Sequence, residues 1–109
     1  MSFSSLTLLD GNTAYVAALG SLDFATNAVL SRDSFLRVDL AAGTATALAM
    51  SSPYGFGDSL VAGGRVLLAD GDPTKPGVRV FAADVTGAEG AVLNPDPTHS
   101  LPPRALTVF

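Results

Sequence analysis

The sequence contains no cysteine. That excludes disulfide staples, thiolate metal sites and cysteine nucleophiles together, and it assigns no compartment. Histidine is nearly absent as well. The single one, His99, excludes a histidine-rich metal site built from one chain. Positive charge is scarce: six Lys and Arg stand against ten Asp and Glu, for a net charge of −4 and a pI near 4.5. The basic residues are scattered and form no stripe, which argues against nucleic acid and against anionic membrane surfaces as partners. No apolar run approaches the ~20 residues of a membrane-spanning helix, so no membrane insertion is expected. Residues 1–5 carry neither a basic segment nor an apolar core of useful length, so any export signal is expected to precede them.

What the chain does have is short apolar runs in quantity. Hydrophobic residues make up 48% and charged residues only 15%, the reverse of a disordered composition. Eleven Gly and seven Pro punctuate the sequence so that the apolar runs last four to seven residues, which is strand spacing. Strands are expected at Leu6–Leu9, Thr13–Leu19, Phe35–Leu40 and Thr44–Met50. A second set follows at Ser59–Ala62, Arg65–Asp70, Val78–Ala82 and Ala88–Leu93. Turns fall at Asp10-Gly11-Asn12, Ala41-Ala42-Gly43, Gly63-Gly64 and Asp84–Gly87. In Phe35–Leu40, Leu36, Val38 and Leu40 alternate with Arg37 and Asp39, which predicts a half-exposed sheet with the aliphatic side inward. After a Pro-rich joint, Asn94–Pro103, a ninth strand is expected at Arg104–Phe109. No helix of ordinary length is required, so the fold class is all-β.

The pattern repeats. Gly11 and Gly63 occupy corresponding turns 52 residues apart, and Arg37-Val38 corresponds to Arg79-Val80. Leu6-Thr7-Leu8 recurs as Leu106-Thr107-Val108, 100 residues on. Four antiparallel strands repeating every ~40–50 residues is the spacing of β-propeller blades. The residues Gly11–Ala18 (GNTAYVAA), followed by Phe35–Ala47 (FLRVDLAAGTATA), resemble the YVTN repeat, and Gly64–Asp70 with Val78–Phe81 is a weaker copy. The resemblance implies an antiparallel propeller with one blade at about 4–50, a second at about 58–93 and the first strand of a third at 103–109. It also implies an extracytoplasmic location. Gly20–Asp33 is a 14-residue insertion between the second and third strands. Leu22, Ala25 and Val29 within it are spaced for one helical turn, but three residues are little periodicity, and a loop packed on its own sheet is the preferred reading.

Few residues invite a chemical reading. His99 adjoins Ser100 in the Pro-rich joint, but neighbours in an extended segment point to opposite sides, and no G-x-S-x-G elbow occurs. A solvent-facing loop histidine is the plain interpretation. Asp70-Gly71-Asp72 could lend oxygens to Ca²⁺, yet Pro73-Thr74-Lys75-Pro76 follows where further ligands are needed, and a solubilising loop partly neutralised by Lys75 explains it. Tyr54-Gly55-Phe56-Gly57-Asp58 offers an aromatic contact near a channel or, more simply, rings wedged between adjacent sheets. No catalytic, cofactor-binding or metal-binding residue is assigned, and no cofactor is expected.

Two function classes remain. The first is a non-enzymatic propeller scaffold or interaction module, completed by other segments or chains. The second is a fragment of a propeller enzyme, a lactonase-like hydrolase or a quinone- or metal-dependent one. That class needs His, Asp and Glu from several blades, and this chain supplies one His and the lone Glu89. A two-blade piece leaves apolar faces at both ends, so a larger assembly is expected. In a ring of identical chains, Leu6–Leu9 and Leu106–Phe109 would compete for one place, which favours another segment of the same protein as the source of the missing blades.

Overall fold

The computed structural model describes residues 3–23, 25–72, 77–84 and 87–93. Among them there is no helix, and the chain is all-β: two four-stranded antiparallel sheets and one small hairpin. The first sheet is made of β1 (Phe3–Leu8), β2 (Thr13–Ala18), β5 (Asp33–Asp39) and β6 (Thr44–Ser51), side by side in that order. The second is made of β7 (Phe56–Ala62), β8 (Arg65–Asp70), β9 (Gly77–Ala82) and β10 (Glu89–Leu93), again in chain order. Each is therefore a plain meander. The expected strand at 104–109, together with His99, Ser100 and Lys75, lies outside the described residues.

Turn chemistry explains the hairpins. Between β1 and β2 the Asp10 carboxylate accepts the Asn12 N–H at 2.8 Å, and the Leu9 N–H donates to the Thr13 carbonyl at 2.9 Å. The β7–β8 turn is of another kind. Gly63 and Gly64 both take positive φ, 57° and 73°, as a two-residue hairpin turn of the twist-compatible type demands. Gly11 and Gly63 thus sit in corresponding hairpins with different turns.

The insertion corrects the helical-turn alternative. Leu22 lies in β3 (Ser21–Asp23) and Val29 in β4 (Ala28–Ser31), and the two strands pair antiparallel with Leu22 opposite Val29. Asn27, at φ 60°, makes the reversal. Asn is among the few side chains that tolerate this region.

The two sheets pack face to face. The core joins Tyr15, Ala17, Phe35 and Ala49 of the first sheet to Phe56, Val66, Leu68 and Phe81 of the second. Phe35 is its hub: the ring stacks on Tyr15 at 5.9 Å, meets Phe81 at 5.3 Å and takes Phe56 edge-on at 6.3 Å. The first strands of the two meanders touch, since the Thr7 hydroxyl donates to the Ser59 carbonyl at 3.0 Å and lies 2.8 Å from the Ser59 hydroxyl. The side of β5 turned inward is therefore the one bearing Asp33 and Phe35. Leu36, Val38 and Leu40, expected inside, lie on the other side, because the second sheet covers the opposite face of the pleat.

The ladder polarity tells which faces meet. Chirality ties the face a strand residue points to with the edge toward which its own N–H and C=O point. On β2, inward Tyr15 is bonded toward β1: Leu9/Thr13 is a hydrogen-bonded pair and, by alternation, so is Thr7/Tyr15. On β8, inward Val66 and Leu68 are bonded toward β9. The Ala83 N–H donates to the Gly64 carbonyl at 3.0 Å, which makes Val66/Phe81 and Leu68/Arg79 the bonded pairs. The second strand thus bonds, through its inward residues, to the first strand in one sheet and to the third in the other. The two meanders present opposite faces to their common seam. One consequence concerns how the two sheets correspond position by position: Val38 matches Phe81, not Val80.

Candidate functional site

Polar groups concentrate where β6 hands the chain to β7. Asp33 begins β5, and its side chain has no exposed surface. Its Oδ1 accepts the backbone N–H of Gly20 at 2.6 Å and of Tyr54 at 2.9 Å, and its Oδ2 accepts that of Phe56 at 3.0 Å. One carboxylate thus pins the base of the inserted hairpin and the entry to β7. Tyr54 is held at φ 61°, an uncommon conformation for a bulky residue, and its N–H bond to Asp33 helps fix it there. Gly55 follows because nothing larger fits: a Cβ there would lie 2.5 Å from the Ser51 hydroxyl and 2.9 Å from the Ser52 carbonyl.

A second carboxylate, Asp70, closes the other side. It ends β8 and is buried. It accepts the Ser51 hydroxyl at 2.7 Å, the Asp72 N–H at 3.0 Å and the Arg79 guanidinium at 3.3 Å. Asp72 accepts the Ser52 hydroxyl at 2.9 Å. The Asp-Gly-Asp pair therefore serves the β6–β7 joint with its own oxygens. Among the described residues, no three of His, Cys, Asp and Glu converge as metal ligands would.

Arg79 ties this knot to the seam between the sheets. Its Nε and Nη2 grip Glu89 at 2.7 and 3.0 Å, and its Nη1 reaches the Met50 carbonyl at 3.1 Å as well as Asp70. The guanidinium carbon lies 5.9 Å from the Phe56 ring centre and 5.8 Å from that of Phe81. Burial opposes the charge, but the hydrogen bonds and charges of Glu89 and Asp70 outweigh it and raise the pKa above the ordinary arginine value. A group raised in this way stabilises the fold at every pH below its unfolded pKa and loses that contribution only at strongly alkaline pH. Arg79 adds no pH dependence near neutrality.

Within the Tyr-Gly-Phe stretch, the wedge reading holds for Phe56 alone. Phe56 is buried between the sheets, whereas Tyr54 is exposed at the joint. Away from the joint, a half-open cavity of about 350 Å³ is bordered by the Gly63-Gly64 turn, Arg65, Phe81 and the Ala88–Gly90 segment. In the seam itself, the Tyr15 hydroxyl and the Arg37 Nε, cross-strand neighbours, are buried without a hydrogen-bond partner among the described residues.

Sequence reasoning singled out Asp70, Asp72 and the aromatic stretch, but its solubilising-loop reading of the acidic pair is corrected by Asp70, which is buried and bonded to Ser51 and Arg79, and it missed Asp33. Its three donors come from positions 13 to 23 residues away, and no local motif announces them. Chemically, the knot orders backbone at a joint, with both carboxylates engaged by donors on the chain itself. Compared with protein-family models, with curated proteins and with solved structures, the chain matches none.

Proposed function

We propose that the chain is a non-enzymatic propeller scaffold or interaction module, two blades of a larger ring completed by other segments or chains. The observation that carries this reading is the head-to-tail packing of the two meanders. A sandwich with two-fold symmetry buries the same face of both sheets. Blades arranged around an axis bury opposite faces of neighbouring sheets, with their first strands nearest the axis. The polarity of β2 and β8 and the Thr7–Ser59 contact both agree with the second arrangement. The enzyme-fragment reading gains no support from Asp33 and Asp70, because both spend their oxygens on loop and strand donors.

Electron microscopy of the assembled protein tests the proposal. A ring of four-stranded sheets about a central axis is the expected image. A closed particle of two sheets with no further sheet stacked on either would overturn it.

A further inference from the structure

The first sheet turns an almost uniformly aliphatic face away from the second. Register places Leu6, Val16, Leu36 and Ala47 in one cross-strand row of that face, and Leu8, Ala14, Val38 and Ala45 in the next. No charged residue interrupts either row. Leu6 is 64% exposed and Leu8 61%, and Phe3, Leu40 and Met50 on the same side are exposed too, whereas Ala14 and Val16 in the middle of the rows are buried and Leu36 and Val38 half-buried, so the open part of the face is its β1 and β6 margins. Scattered exposed leucines are ordinary on a protein surface, but a contiguous face of them marks an interaction site.

The fold itself indicates what fits there. By ladder polarity, this outer face of the first sheet is the same face of the meander as the Val66/Leu68/Phe81 face of the second. That second face is already covered by the Tyr15/Phe35 face of the first sheet. A cover for the aliphatic face must therefore be of the Tyr15/Phe35 kind. The chain has one more such face, the outer side of the second sheet, where Leu60 and Leu67 pair and Leu67 in turn pairs with Val80, all three half-buried. Both halves of the contact thus reside on one chain.

We infer that a second copy of this chain docks head-to-tail, seating the outer face of its second sheet (Leu60, Leu67, Val80) on the Leu6/Leu8/Val38 face of the first. This rests on the repeat reading above and deepens it by naming the partner, a copy of this chain in place of the other segment that the expected strand at 104–109, outside the described residues, favours. The contact continues the established seam by one further step, so it is heterologous and closes into a ring only if the rotation per copy divides a full turn. The internal seam also fixes the register. Thr7 touches Ser59 within the chain. Stepping each residue to its counterpart, Thr7 becomes Leu60 and Ser59 becomes Leu6, so Leu60 of one copy faces Leu6 of the next.

The absence of cysteine makes the test free of background. Leu6→Cys and Leu60→Cys chains are prepared separately, mixed in equal amounts and oxidised mildly. A disulfide-linked dimer is expected from the mixture and not from either variant alone. Leu8→Asp, placed on the exposed face, is expected to abolish cross-linking in that background and to return the light-scattering mass to 11.0 kDa with the far-UV spectrum unchanged. A mixture that stays monomeric, or Leu6→Cys that cross-links equally well by itself, overturns the inference. The ring proposal fails separately. Cross-linked copies forming open filaments would defeat the ring and leave the docking intact, whereas a ring closed by other chains with no Leu6–Leu60 link would do the reverse.

Discussion

The Asp33 side chain lies fully buried because three backbone N–H groups from two segments converge on its oxygens. Removing it leaves the buried Phe56 N–H unsatisfied and takes the acceptor from the part-buried Gly20 and Tyr54 N–H groups, at ~1–3 kcal/mol for a group left fully unsatisfied. Asp33→Ala is therefore expected to lower the unfolding free energy by roughly 2–3 kcal/mol. Asp33→Asn keeps one acceptor oxygen and is expected to lose less. Urea denaturation of both variants measures this, and midpoints equal to the parent chain would contradict it. Gly55 answers to the same joint. A methyl group there meets the Ser51 hydroxyl, itself locked to Asp70, and the Ser52 backbone. Gly55→Ala is expected to cost about 1–3 kcal/mol as overpacking, visible as a lower thermal midpoint, and an unchanged midpoint would show the joint to be loose. Asp33 was not legible beforehand. A lone Asp ahead of an apolar run looks like any surface residue until the chain folds back on it.

At the scale of the element, periodicity located all eight strands of the two sheets, because Gly and Pro bound each run and little else competes. It misjudged which face of β5 turns inward. Leu36, Val38 and Leu40 form the more hydrophobic side of that strand, and alternation alone sends such a side to the core. Both faces of a stacked sheet carry apolar residues, so the decision belongs to the neighbouring sheet, and there the aromatic hub at Phe35 prevails. The insertion was unreadable for a different reason: three apolar residues at helical spacing are too few to separate a turn of helix from a hairpin. As observed, β3 has no fully buried residue and β4 is exposed throughout. Among the described residues, the hydrogen bonds that tie it to the sheets are those of the Gly20 N–H to Asp33 and of Arg32 to the Ser51 carbonyl at 3.3 Å. Replacing residues 21–31 with an Asn-Gly turn keeps Gly20, Arg32 and Asp33 and shortens the loop, which favours the folded state by up to ~1 kcal/mol. The variant is expected to retain its far-UV spectrum and cooperative melting. Loss of cooperativity would mean that the hairpin carries structure beyond its own residues.

At the scale of the molecule, two successive sets of four strands were visible in the sequence, while the way one sheet sits on the other was not. That arrangement depends on ladder polarity, which a shift of one residue reverses, and the apparent match of Arg37-Val38 with Arg79-Val80 concealed such a shift. The seam places both arginines between the sheets from opposite sides and brings β1 against β7. The Thr7 and Ser59 hydroxyls, 2.8 Å apart, give this arrangement its most direct measurement. In a chain without other cysteines, Thr7→Cys with Ser59→Cys places two thiols within bonding reach. A single intrachain disulfide is expected to form under mild oxidation, with a shifted non-reducing mobility at unchanged monomer mass and a raised thermal midpoint. Free thiols persisting in a folded chain, or links that form only between chains, would contradict the head-to-tail seam.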